Sequence, residues 1–139
     1  MRSILFCTVL AVAVTTGCAK KNTDAAGAAE RAVAAVSIDQ LEAQLATDAC
    51  VPVDANGQQT RKKLGVIPGA VLLTDSETFS ASELPADKAK ALVFYCSNTS
   101  CGASEEAARK AIAAGFTNVK VLPDGIAGWV KAGKKVQTI

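Results

Sequence analysis

Not one histidine occurs among the 139 residues of this chain. That absence removes Ser-His-Asp and Cys-His catalysis, the common zinc ligand sets and imidazole acid–base chemistry. Aromatic residues make up only 4%, so a core has to be built from Ala, Val, Ile and Leu. No run of Lys and Arg is long enough, or interleaved with enough aromatics, to form a nucleic-acid surface. Lys20-Lys21 and Arg61-Lys62-Lys63 read as short solvated stretches in a chain of formal net charge +2. No nucleic-acid partner is expected. What is left for chemistry is cysteine, carboxylate, lysine, hydroxyl and backbone amide.

The length suits one domain of ordinary size. Before it comes a targeting segment. Arg2 gives a short positive start, Ile4 to Val14 is apolar except for Thr8, and Thr15-Thr16-Gly17-Cys18 follows. The apolar run has signal-peptide length and is too short to span a bilayer comfortably. Small residues directly before a cysteine resemble the bacterial lipobox, although Thr15 stands where that motif usually has an aliphatic residue. Residues 1–17 are therefore expected to be removed and Cys18 to be lipidated, holding the chain on a membrane at the periplasmic face of the cell envelope. The alternative is an ordinary secretory signal or an uncleaved anchor. Residues 18–36 read as an alanine-rich tether with little to bury: seven of the eleven residues from Ala25 to Ala35 are alanine.

From residue 37 to 139 the pattern alternates between helix and strand. Ser37-Ile38-Asp39-Gln40 has capping-box spacing, with Ile38, Leu41 and Leu45 at helical intervals up to about Thr47. Cys50 to Ala55 is a short apolar run entering a polar loop, and Ile67 to Leu73 is a turn leading into another. Leu92-Val93-Phe94-Tyr95 is the clearest strand, continuously apolar as central parallel strands are. Ala103 to Ala114 is amphipathic, with Glu105–Arg109 and Glu106–Lys110 pairs on its polar side and Gly115 at its end. Val119 to Leu122 is a further strand, and a last short helix is expected around Trp129. Such alternation implies an α/β domain with a parallel sheet, whose ligands sit at the carboxyl ends of the strands.

The stretch that carries chemistry is Tyr95-Cys96-Ser97-Asn98-Thr99-Ser100-Cys101-Gly102. A buried strand ends at Cys96, a loop of small residues follows, and a helix starts near Gly102. Loop amides and a helix N-terminus converging on the Cys96 sulfur would stabilise negative charge and lower its pKa. Ser97, Asn98, Thr99, Ser100, Cys101 and Gly102 form the expected cradle. Cys101 has three readings: a resolving thiol for Cys96, a small filler at the helix start, or a structural disulfide partner. Cys50 is expected to be a core thiol, Asp54 a structural acceptor holding loop amides, and Trp129 a packing anchor.

A strand–Cys–loop–helix unit occurs in several families, and the residues around this one resemble the rhodanese-like domain family. Val66-Ile67-Pro68-Gly69-Ala70 resembles its Gly-His-Ile-Pro-Gly-Ala signature, and Gly115-Phe116-Thr117-Asn118-Val119 its Gly-Phe-x-Asn-Val turn. Leu122 to Trp129 with Ala132-Gly133 resembles its closing segment, and Val53-Asp54 falls at its Asp-Val-Arg strand. The resemblance spans about residues 36–136. It implies a three-layer domain with a central parallel sheet flanked by helices.

It implies also that Cys96 accepts a sulfane sulfur as a persulfide and passes it to a thiol or cyanide, with no metal or organic cofactor. The partners so implied are a small sulfur-containing donor and a thiol acceptor, and a monomer is expected. The alternative is a non-catalytic binding or thiol-redox module built on the Cys96/Cys101 pair. Departures bear on activity rather than fold: Asn56 stands for the family's common Arg and Val66 for its His. The loop also lacks the family's frequent Gly and basic residues. An anionic donor then meets little local positive charge, and Glu105 and Glu106 would disfavour it if they pointed inward.

Overall fold

Leu92–Tyr95 is buried at all four positions, which a strand achieves only when both faces of its sheet are covered. The computed structural model describes residues 32–139; the apolar start, Cys18 and the tether up to residue 31 lie outside the described residues. Five strands, β1 (Ala34–Ala35), β2 (Val51–Asp54), β3 (Val71–Leu72), β4 (Leu92–Tyr95) and β5 (Val119–Leu122), form one sheet in the order β1-β5-β4-β2-β3. All pairs are parallel, with Asp54 level with Tyr95 and Tyr95 level with Leu122. Four helices flank it: α1 (Ile38–Ala46), α2 (Gln58–Leu64), α3 (Ala103–Ala113) and α4 (Gly125–Lys131). This is the expected α/β architecture.

The alternation of side chains along β4 divides the core in two. Leu92 and Phe94 face a cluster with Val53, Leu73, Phe79, Val121 and the alanines 107, 108 and 111 of α3. Val93 and Tyr95 face the other, with Leu41 of α1, Ile67, and Ile126 and Trp129 of α4. Each large apolar side chain so buried contributes on the order of 1.5–3 kcal/mol. Alanine in α3 lets that helix approach the sheet closely. The Tyr95 hydroxyl accepts the Ile67 N–H at 3.0 Å, tying the Ile67-Pro68 turn to the central strand. The α1 capping box is present in full, with the Ser37 hydroxyl on the Gln40 amide and the Gln40 side chain on the Ser37 amide.

Two expectations are corrected. The tether does not extend to residue 36: Ala34–Ala35 pairs with β5, the Val36 N–H donates to Val121 O at 2.8 Å, and Val36 is buried. Alanine carries little side-chain signal for a strand, but an open sheet edge offers backbone hydrogen bonds to any residue. The second correction is α2, which occupies what reads as polar loop; its Arg61 is buried, while Lys62 and Lys63 stay exposed.

Candidate active site

Cys96 leaves the carboxyl end of β4, the central strand, and is only 1% exposed. The loop after it is held from two sides. From α4, the Ile126 N–H donates to Cys96 O at 2.8 Å and the Ala127 N–H to Ser97 O at 2.9 Å. These first-turn amides have no partner inside their own helix, and the loop carbonyls satisfy them. From within, Asn98 organises the turn, its carbonyl accepting the Cys101 N–H at 3.1 Å and its side chain the Ser100 N–H at 3.0 Å. Asn98, Thr99, Ser100 and Gly102 stand exposed, while Ser97 and Cys101 are half-buried.

Gly125 makes this contact possible. It adopts φ +60°, and a Cβ there would lie 2.6 Å from Cys96 O, 2.7 Å from Ser97 C and 2.8 Å from Asn98 N. Only glycine permits both that backbone conformation and that approach.

The Cys96 thiol donates to Cys101 O at 3.1 Å and lies 3.3 Å from the hydroxyl of Ser104, which is buried in the first turn of α3. Sequence reasoning passed over Ser104; its only signal was a place in the first turn of the helix. The loop amides do not converge on Cys96 as expected. Burial pushes its thiol up, the neighbouring Cys101 adds to the rise, and the Ser104 hydroxyl and amide offset only part of it. Cys101 shows the reverse. Burial opposes its ionisation, but the neighbouring Cys96 thiol and the Ser97 and Ala103 amides outweigh this and lower its pKa. At neutral pH, iodoacetamide is therefore expected to alkylate Cys101 well ahead of Cys96, with peptide mapping over a time course as the check; equal rates would contradict this ordering.

Asp54 ends β2 beside this site and is fully buried. Its Oδ1 accepts the Asn56 N–H at 2.6 Å and the Arg61 Nε at 3.3 Å. Arg61 also donates to Asp54 O at 3.0 Å and Leu73 O at 2.8 Å. The arginine thus clamps three chain segments and is spent on structure. Glu105 and Glu106 point to solvent, Glu105 paired with Arg109 at 2.7 Å. Cys96, Cys101 and Cys50 are all free thiols.

Cys50 lies at the opposite end of the sheet, just before β2, where burial raises its pKa. A cavity of about 740 Å³ opens there, lined in part by Cys50, Pro52, Pro68 and Trp129. The length of the strands separates it from Cys96. Among the described residues no group of three Cys, Asp or Glu side chains is placed to hold a metal ion.

This chain belongs to the rhodanese-like domain family, whose profile matches residues 37–132. Comparison with curated proteins gives no significant match. Among solved structures, the rhodanese-like domain of the Anabaena sp. protein Alr3790 superposes with a TM-score of 0.63 at 23% identity, covering 76% of this chain and 79% of that one. The human single-domain sulfurtransferase TSTD1 superposes with a TM-score of 0.56 at 19% identity, covering 70% of this chain and 95% of that one. Thiosulfate sulfurtransferase from Pseudomonas aeruginosa gives 0.64 at 23% identity, covering 82% of this chain but 22% of that one. At these identities the likeness concerns the fold.

Proposed function

We propose that this domain is a sulfurtransferase that carries sulfane sulfur as a persulfide on Cys96 and delivers it to a thiol or cyanide acceptor. The observation that carries the reading is the position of Cys96. Its sulfur sits at the carboxyl end of the central strand, beneath a loop that α4 pins and α3 closes. In loading, a sulfur–sulfur bond forms at the enzyme as the donor's own sulfur–sulfur bond breaks, the electron pair leaving with a thiolate or sulfite. In delivery the acceptor takes the outer sulfur and the Cys96 thiol returns. A persulfide held in a buried position is shielded from hydrolysis and from unwanted thiols.

The cellular setting belongs to the same proposal. Cys18 carries the lipid and the domain works at the periplasmic face of the envelope; mass measurement on native protein tests this, and a chain without lipid or beginning elsewhere overturns it. Within the domain, incubation with an alkyl hydropersulfide or thiosulfate should add one sulfur atom, which peptide mapping finds on Cys96. Cys96→Ser should lose at least tenfold in turnover with cyanide or thiol acceptors. A wild type that never bears sulfur on Cys96, or a fully active Cys96→Ser, refutes the reading.

A second reading has its own observation. Cys96 and Cys101 are both free thiols in one packed cluster, and the Cys96 thiol donates to the Cys101 carbonyl. A thiol-redox module predicts a wild type that takes no sulfane sulfur but cycles between dithiol and disulfide.

A further inference from the structure

The two loop cysteines divide what one reactive thiol ordinarily combines. Cys96 is 1% exposed, lies under the Cys101 carbonyl and is backed by Ser104. A donor molecule has to reach the attacking sulfur from solvent, in line with the bond being broken, and Cys96 offers it almost no surface. Cys101 is half-buried, at the end of the exposed tip formed by Asn98, Thr99 and Ser100, and packs against the cluster that contains Cys96. Its amide is fixed by Asn98 O and its carbonyl accepts the Cys96 S–H. One face of Cys101 thus meets solvent while the other meets the buried thiol.

We propose that Cys101 is the entry thiol: it takes the sulfane sulfur from the donor and hands it inward to Cys96. This rests on the sulfurtransferase reading and adds the route by which Cys96 is loaded. The donor class is a small hydropersulfide of low charge. Residues 97–102 bear no charged side chain, Arg61 is committed to Asp54 and two carbonyls, and Glu105 and Glu106 lie in the following helical turn.

In the first step the Cys101 thiolate attacks the outer sulfur of R–S–SH. The new bond forms at Cys101 and the donor S–S bond breaks. Its electron pair leaves as R–S⁻, and the outer sulfur keeps its hydrogen. In the second step Cys96 sulfur attacks that outer sulfur. A Cys96–S–SH bond forms, the Cys101–S bond breaks, and the Cys96 proton moves to the departing Cys101 sulfur. No net oxidation occurs in either step. The lowered Cys101 pKa fits the first step, in which a thiolate attacks the donor. In the second step Cys96 sheds its proton to the departing Cys101 sulfur as it attacks.

Quenched-flow loading with a low-molecular-weight alkyl hydropersulfide, followed by rapid alkylation and peptide mapping, tests the relay. In the wild type the extra sulfur should appear first on Cys101 and later on Cys96. Cys96→Ser should acquire it on Cys101 and keep it there, with none passed on. Cys101→Ser should load Cys96 at least tenfold more slowly yet reach the same end point, and Cys101→Ala should behave alike, with unfolding midpoints confirming intact folds. Loading of Cys96 at the wild-type rate in Cys101→Ser overturns the relay and leaves the sulfurtransferase reading standing. Absence of sulfur from both cysteines of the wild type refutes that reading and the relay with it.

Discussion

Replacing Arg61 with alanine is expected to lower the unfolding free energy by about 3–5 kcal/mol, the range for removing one member of a buried ion pair. The side chains of Arg61 and Asp54 are 7% and 0% exposed, so water cannot replace the lost partner. The variant leaves the Asp54 carboxylate without its counter-charge, and strips donors from the Asp54 and Leu73 carbonyls as well. Lysine cannot stand in, because one ammonium lacks the fork that reaches a carboxylate and two carbonyls together. Urea unfolding followed by the fluorescence of Trp129, the single tryptophan of the chain, reads the loss directly. A change below about 1 kcal/mol, the upper end for exposed pairs, would show that Arg61 is not a clamp.

Gly125→Ala should come next in size and should also strike the active loop. Placing an L side chain at φ +60° costs roughly 1–2 kcal/mol, and forcing it against a packed neighbour about 1–3 kcal/mol more. The atoms it would meet are backbone atoms of Cys96, Ser97 and Asn98. They cannot rotate aside as a side-chain tip would. The loop has to move, breaking the Ile126–Cys96 and Ala127–Ser97 hydrogen bonds. The expected outcome is a destabilisation of about 2–5 kcal/mol in all, with faster alkylation of Cys96 as the loop lifts. Unchanged stability together with unchanged Cys96 labelling would show that α4 does not pin the loop.

Much of this architecture was legible in the residues. Leu92 to Tyr95 has no polar position and so reads as a strand covered on both sides, which it is. Ala103 to Ala113 shows its buried alanines at helical spacing against a charged side, and Ser37 with Gln40 announces the start of α1. These signals are local: periodicity and capping chemistry act within a few residues of one another. β1 and α2 were hidden for the opposite reason. Ala34–Ala35 is a strand only because β5 leaves an edge open beside it, and α2 is a polar segment whose one buried charge, Arg61, finds its partner seven residues back.

At the site, residue order alone determined that a cysteine would end the central strand, with a second cysteine five residues on at the mouth of a helix. Tertiary structure decided what each thiol experiences. Nothing in the order of residues tells Arg61 from Lys62 and Lys63, or says that Gly125, twenty-nine residues beyond Cys96, presses on its carbonyl. Nor does it say that Ser104 backs a buried Cys96 sulfur while Cys101 stays half-open to solvent. The reason is physical. Hydrophobic period and cap preference are properties of a chain segment, whereas a thiol's ionisation depends on solvent and hydrogen-bond donors brought to it by segments distant in sequence.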